Sequence, residues 1–445
     1  MITRRLQRGL VLASLLVCCG CATHADRLRT VRTAFYDGDL REAEQLLDRS
    51  LKKHQDGGDV LFLEKAIVQL ADGHPAEAEQ TLRQVRDRFD YLEQKSAAES
   101  ALSTMTDDRS LAYAGEDYEK VLIRGFLALS SLLHGGEDAG AYSLQMIDTQ
   151  AQIIQAAAEP DGKNLKAGYQ QVALGPYLRA LLREETHHDY DDVARYRAMV
   201  VSWAPGFTPG PADLTRAQDG NHSAPGHGVL QVFTLVGRGP YKEQVDEVPS
   251  STAVLIADRI ISSIGKYTLP PTIASIKVPK VMAGHNLIQA VGVSVDGRPG
   301  GETNTITDVS QMAVAQYDAI FPKVVARAVV RRAIKKSVVY GAKEALGAQR
   351  GSLLSLPLDV VGVAWEATER ADTRCWGLLP DKIQVRRIEL PVGEHEVALC
   401  PLDAGYRPIG PAATRRVTIS DGRSTFLLAT FPGTHLVGQM LISPE

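Results

Sequence analysis

Between Asp26 and Pro205 the chain repeats a turn followed by a helix start. Gly38-Asp39-Leu40-Arg41-Glu42-Ala43 and Gly73-His74-Pro75-Ala76-Glu77-Ala78 carry the same signal thirty-five residues apart. Ala, Leu, Glu, Gln and Arg dominate this stretch, and apolar residues recur at three- and four-residue spacing, the pattern of amphipathic helices. The expected helix pairs are Arg29–Tyr36 with Arg41–Lys52, and Val60–Leu70 with Ala76–Arg88. Two weaker copies follow. Tyr118–Leu133, Gly136 and Ala141–Ala157 form one; Tyr177–Glu185, a turn at Asp189 and Arg195–Trp203 form the other. An alanine stands five residues after the turn in all four copies, where two helices crossing closely exclude a larger side chain. Pro205 closes the array, because proline cannot continue a helix.

A period near 34 residues is that of tetratricopeptide repeats, although their tryptophan and tyrosine marks are mostly missing. An irregular helical array is the alternative. Either arrangement presents a concave surface to peptides or proteins. At Gly206–His227 the composition turns to Pro, Gly, Asp and Ser, which reads as a linker. Beyond it the period shortens. Strands are expected at Val229–Val236, Thr252–Ile256, Ser275–Val281 and Leu287–Val295. Thr307-Asp308-Val309 opens a long helix that Pro322 divides and that runs to Leu346. Strands at Lys382–Leu390, Glu396–Cys400, Arg415–Ile419 and Ser424–Thr430 are expected to make an antiparallel β-meander. The fold class is therefore α+β, an all-α tetratricopeptide-like array followed by an α+β domain.

The first residues set the compartment. Arg4, Arg5 and Arg8 precede an apolar run, Gly9 to Val17, and Gly20 precedes Cys21. This is the layout of a secretory signal with a lipoprotein cleavage site, and the run is too short to span a bilayer. The expected division is a signal peptide at 1–20, a tether at 21–26 lipidated on Cys21, a helical domain at 27–205, a linker at 206–227, an α+β domain at 228–432 and a tail at 433–445. A plain secretory signal without lipid is the alternative. Ala22 after the acceptor points to the periplasmic face of the outer membrane; anchoring in the inner membrane or a soluble periplasmic form are the other destinations. Loss of Arg4, Arg5 and Arg8 takes the net charge from −4 to −7, which is no footprint for nucleic acid. Cys375 and Cys400 would then remain, and an oxidising compartment makes them candidates for a disulfide. Two buried thiols are the alternative.

Three short patterns resemble a family of bacterial tetratricopeptide-containing lipoproteins of the cell envelope. They are Tyr113-x-Gly115-x-x-Tyr118-Glu119-Lys120, the turn Gly237-x-x-Pro240-x-Lys242, and Asp372-x-Arg374-x-Trp376 followed by Leu379-Pro380. Cys375 departs from that pattern. The resemblance implies an interaction protein, with cell-wall assembly as the context.

No Gly-x-Ser-x-Gly elbow, His-Glu-x-x-His helix or Ser-x-x-Lys pattern stands out. His187-His188-Asp189, His222 with His227, and Glu366, Glu369 and Asp372 are the polar groupings present. Each fits a solvated turn, linker or helix face, so no catalytic residue, metal or cofactor is expected. Lys323, Arg327, Arg331, Arg332, Lys335 and Lys336 form a basic face on the long helix and are candidates for contact with an anionic surface. The expected function is a lipid-anchored, periplasm-facing scaffold that binds envelope proteins or peptides through its helices. An envelope hydrolase or glycan-processing enzyme with its site in the α+β half is a second reading. A structural subunit of a secretion or polymer-export complex is a third.

Overall fold

The computed structural model describes residues 24–53, 58–98, 112–159, 162–264, 269, 274–345 and 370–444, of which 24–27, 96–98, 264 and 335–345 are described by backbone alone. Cys21, the signal before it, Glu366 and Glu369 lie outside the described residues. So do the side chains of Lys335 and Lys336.

The described chain is α+β. Eight helices come first: α1 (His24–Tyr36), α2 (Leu40–Lys53), α3 (Gly58–Ala71), α4 (Pro75–Ala98), α5 (Asp117–His134), α6 (Ala139–Gln155), α7 (Leu174–Glu184) and α8 (Tyr190–Trp203). Each packs on its neighbours in sequence. The close-crossing position is the fourth residue of α2, α4, α6 and α8. Ala43 and Ala78 occupy it in the first two pairs, but Tyr142 and Val193 occupy it in the last two, all buried. The five-residue offset thus selects the buried alanine only twice; Ala141 is exposed and Ala194 partly so.

The stretch read as a linker contains α9 (Gly210–Gln218). Its Asp213 is buried against Arg197 of α8, a partner that composition does not reveal. Thr252–Ile256, expected as a strand, lies inside α10 (Ser251–Ile264). Its β-branched residues yield to the four-residue spacing of Ala253, Ala257 and Ile261, all buried. The long helix α11 (Val309–Ala345) starts as expected, with Asp308 Oδ1 accepting the Gln311 amide at 2.9 Å, and it passes through Pro322.

The strands are β1 (His227–Val236), β2 (Tyr241–Glu247), β3 (Ile276–Met282), β4 (Ala290–Val295), β5 (Arg298–Glu302), β6 (Asn304–Asp308), β7 (Lys382–Pro391), β8 (Gly393–Leu402), β9 (Ala413–Ile419), β10 (Ser424–Phe431) and β11 (Val437–Ile442). They do not form the expected meander. A five-stranded sheet has the order β11-β10-β1-β7-β6, a four-stranded sheet has β5-β4-β8-β9, and β2 pairs with β3 alone. Only β8 and β9 are hairpin neighbours among the four C-terminal strands read from sequence; β10 instead runs parallel to β1. Burial explains the split. β10 is buried from Thr425 to Phe431 and needs cover on both faces, whereas β9 exposes Thr414, Arg415 and Arg416 and suits an outer sheet. The supposed tail is likewise a strand, β11, whose Val437 is fully buried.

The sheets and helices make three layers. Leu230, Val232, Val293, Val397, Leu399 and Leu427 fill the space between the two larger sheets. Phe233, Leu235 and Leu428 on the opposite face of the five-stranded sheet join one core with Leu28, Phe35, Phe126, Tyr177 and Trp376. That core crosses the boundary drawn at 205–228, so the helices and the five-stranded sheet share one interior.

Candidate functional site

All three sequence patterns meet at one place. The segment from Arg370 to Asp381 has no regular secondary structure, yet Cys375, Trp376, Leu378 and Leu379 are buried among the N-terminal helices. An irregular stretch of the chain, with a turn at Gly377-Leu378, therefore lies in a groove of the helical array, and the groove grips its backbone.

Two buried carboxylates do the gripping. Glu64 of α3 accepts the amides of Gly377 and Leu378 at 3.1 and 2.8 Å. It also accepts Arg32 of α1 through Nε at 3.2 Å and Nη2 at 2.8 Å. A carboxylate has about four acceptor sites, and these donors fill them. Arg32 Nη2 also donates to the Cys375 carbonyl at 3.4 Å, and the Tyr36 hydroxyl donates to the Gly377 carbonyl at 3.2 Å. Glycine at 377 makes room for Arg32, because a Cβ there would stand 2.0 Å from the guanidinium and force it to move. Burial opposes the charge of Arg32, but Glu64 more than offsets it and holds the guanidinium protonated. Burial also pushes the Tyr36 hydroxyl up to about 12.

Glu119, in the first turn of α5, holds the next residue. It accepts the Trp376 amide at 2.7 Å, the Tyr113 hydroxyl at 2.6 Å and the Glu116 amide at 3.0 Å. The last bond is half of a capping box at the start of α5. Burial, with Glu116 beside it, pushes the Glu119 carboxyl up, against the pull of Lys242. Gly115 lets the chain enter this turn at φ 76°, where a Cβ would meet the Phe89 ring at 2.4 Å. The Tyr-x-Gly-x-x-Tyr-Glu-Lys pattern is thus a device for placing Glu119. The Trp376 ring lies on Phe126 with centroids 5.3 Å apart.

The turn after β1 closes the site. The Gly239 amide donates to the Leu379 carbonyl at 2.9 Å. Lys242 is buried, pairs with Glu116, and has its Nζ within 6 Å of the Tyr113 and Tyr317 ring centroids, at 5.9 and 5.8 Å. Burial works against its charge, and Glu116 reverses that, raising it above the ordinary lysine range. Asp372 forks onto Arg374 at 2.7 and 2.9 Å, and the Arg374 guanidinium lies 5.2 Å from the Tyr113 ring centroid. Burial tends to raise the Asp372 carboxyl, but Arg374 brings it below the usual range.

Cys375 is a free, buried thiol in this groove, and Cys400 is a free thiol on β8 in the outer sheet. The candidate disulfide is not formed, and the two cysteines serve different layers. Burial raises both thiols. The other polar groupings separate in the same way. His187 and Asp189 shape the α7–α8 turn with positive φ, and His187 Nε2 lies 2.8 Å from the Gly422 carbonyl. His222 is buried beside Glu184, with Nδ1 at 3.3 Å. Among the described residues, no group of three His, Cys, Asp or Glu is placed to hold a metal.

Glu184 centres a second buried network that sequence reading missed. It pairs with Arg197 at 2.8 Å and Arg216 at 3.3 Å, while Asp213 pairs with Arg197 at 3.3 Å and Arg216 at 2.6 Å. Burial pushes the Glu184 carboxyl up, and His222 and the arginines overcome it and bring it well below the usual range. Glu64 and Arg32 were also missed. The available signal was a lone acid inside the apolar run Leu61-Phe62-Leu63-Glu64-Lys65-Ala66-Ile67. An open cleft of about 650 Å³ is lined by Asp37, Asp39, Glu44, Asp72, His435 and Gln439, ahead of and on β11.

No family model, curated protein or solved structure matches this chain.

Proposed function

We propose that this protein is a lipid-anchored scaffold of the bacterial cell envelope, facing the periplasm, with a tetratricopeptide-like array as its organising element. The observation that carries the reading is the grip of Glu64 and Glu119 on the backbone of Trp376, Gly377 and Leu378. A groove that seats a non-helical segment needs acceptors for its main-chain N–H groups, an apolar seat and close approach. All three are present, and here a segment of the same chain fills them. The groove therefore joins the helices to the sheets, and partner proteins dock on the outer surfaces of the joined body. Lipid on Cys21 confines that body to the membrane plane and raises its effective concentration near other envelope proteins.

The test is affinity purification from crosslinked cells, comparing the acylated protein with a Cys21→Ala form. A small set of envelope proteins retained only by the acylated form supports the scaffold. Absence of acyl labelling on Cys21 removes the tether. A correctly localised protein that captures no specific partner removes the scaffold.

A further inference from the structure

On α11, Lys323 and Arg327 are exposed, whereas Arg332 donates to the Ser275 carbonyl at 2.6 Å. A basic group built more firmly into its surroundings stands at the end of the four-stranded sheet, at His395 of β8. Its side chain is only 11% exposed. Nδ1 lies 2.7 Å from Asp296 Oδ2, and Nε2 lies 2.8 Å from the Pro391 carbonyl oxygen. Hydrogen bonds from His395 and from the Glu396 amide hold the Asp296 carboxyl below the usual range, so both partners are acceptors. A neutral imidazole donates from one nitrogen and accepts at the other, whereas an imidazolium donates from both. A neutral ring here would turn a lone pair toward one of the two oxygens.

The backbone fixes both acceptors. Asp296 and Gly297 make the two-residue turn between β4 and β5, with φ of 52° and 74°, the left-handed pair that Asp-Gly turns favour. The Asp296 amide donates to the Glu396 carbonyl at 2.9 Å, and the Glu396 amide donates to Asp296 Oδ1 at 2.9 Å. Pro391 ends β7 and lies opposite His227 of β1, in the five-stranded sheet. The ring therefore bridges a turn of one sheet and a strand end of the other. The hairpin it holds carries Gly297, Pro299 and Glu302, which line an open cleft of about 470 Å³ with Ser294, Cys400 and Tyr406. One wall of that cleft is thus tied to the β7–β8 turn.

The surrounding charges leave Asp296 as the counter-ion of the ring. Glu394 and Glu396 flank His395 on β8 and alternate to the other face of the strand. On β9, Val417 lies opposite His395, with Arg416 and Arg415 opposite Glu396 and Val397. Arg298 of β5 lies opposite Val295 and favours the ionised form of Asp296. At the start of β1, His227 Nδ1 is 3.3 Å from the Pro225 carbonyl, and Asp421 accepts the Gly226 amide at 2.9 Å. Burial works against the charge of His395, but Asp296 and the Pro391 carbonyl overcome it and raise the imidazole above its ordinary range. We infer that His395 is held as the imidazolium at neutral pH and acts as a proton-operated clamp between the β4–β5 and β7–β8 turns, which slackens when the ring loses its proton. A group raised in the folded state contributes fully below its unfolded value, and the contribution is lost as pH rises through the folded value.

The experiment follows the imidazole nitrogens of the full chain by NMR with isotope-labelled histidine as pH is raised. His395→Gln assigns the resonance by removing it, and Asp296→Asn assigns it by moving it, so either variant suffices if the other fails to fold. Protons are expected on both ring nitrogens at neutral pH, with a titration midpoint above the ordinary value of about 6.5. Asp296→Asn keeps an acceptor for the Glu396 amide but removes the charge, and it should lower the midpoint. A double-mutant cycle of the two substitutions in denaturant unfolding separates a proton-operated clamp from a purely structural contact. The coupling between the two positions should be large near pH 6 and shrink near pH 9, as the imidazolium is lost. A midpoint at or below the ordinary value, a midpoint that Asp296→Asn leaves unmoved, or a coupling of equal size at both pH values overturns the inference.

Discussion

The groove around Trp376 and the network around Glu184 both bury carboxylates between the helices and the five-stranded sheet, but they spend them differently. Glu64 and Glu119 face main-chain amides of a neighbouring segment. Glu184 faces side chains, Arg197, Arg216 and His222. A main-chain donor is present whatever residue stands there, proline apart, so the first arrangement fixes where a segment must run. A side-chain donor can be exchanged together with its partner, so the second fixes only that charges must balance.

The strongest way to break this comparison is to exchange the charges. Glu64→Ala leaves Arg32 buried without its partner and two amides unsatisfied, and a loss of about 3–5 kcal/mol is expected in denaturant unfolding. Arg197→Met should cost a similar ~3–5 kcal/mol, since Glu184 loses its fully buried partner. The paired exchanges then separate the seams. Glu184→Leu with Arg197→Met should recover about half of its loss, because apolar replacement of a buried ion pair is often neutral. Glu64→Leu with Arg32→Met should not, because Gly377 and Leu378 keep their amides. Equal recovery at both seams would show the distinction to be wrong.

Gly377→Ala sharpens the same point at a smaller scale. The added methyl displaces the Arg32 guanidinium, and about 1–3 kcal/mol is expected from the forced shift. Trimming Arg32 to Met in the same chain should relieve the clash and expose the cost of the lost ion pair instead.

Acid acts oppositely on Glu119 and Glu184. Glu184 is depressed when folded, so its contribution is present above the unfolded carboxyl range and is lost as pH falls toward its folded value. Glu119 is raised when folded, so its contribution is complete below the unfolded range and is lost as pH rises through its folded value. Unfolding curves across that range should show Glu119→Gln steepening the fall in stability toward acid, whereas Glu184→Gln should flatten it. The same direction for both variants would contradict the assigned shifts.

The smallest expected effect concerns the thiols. In native protein Cys400 should react with a maleimide well before Cys375, and Cys375 should become reactive only on unfolding. Intact mass after labelling of the unfolded chain under non-reducing conditions should show both thiols modified; two protected cysteines would restore the disulfide.

Much of the fold was legible where local signals agree. The turns at Gly38 and Gly73, the start of α11 at Asp308 and the strand at 229–236 follow from residue type and spacing, because each is decided within a few residues. The meander, the linker and the tail were misread for one reason: their partners lie far away in the chain. β10 is parallel to β1, Asp213 answers Arg197, and Val437 packs in the large core. The candidate site was half legible. The three patterns around Tyr113, Lys242 and Trp376 were visible separately, but nothing in sequence showed that Glu119 would accept the Trp376 amide.

The sequence by itself determined the succession of elements, the turns between them and the basic character of α11, since helix period, turn chemistry and charge are local properties. Only the tertiary structure decided that the helices enclose a segment lying more than three hundred residues beyond Glu64, as the contacts to Gly377 and Leu378 show. A carboxylate recognises a backbone amide without reference to the residue that carries it, so no pairing rule in the sequence records the contact.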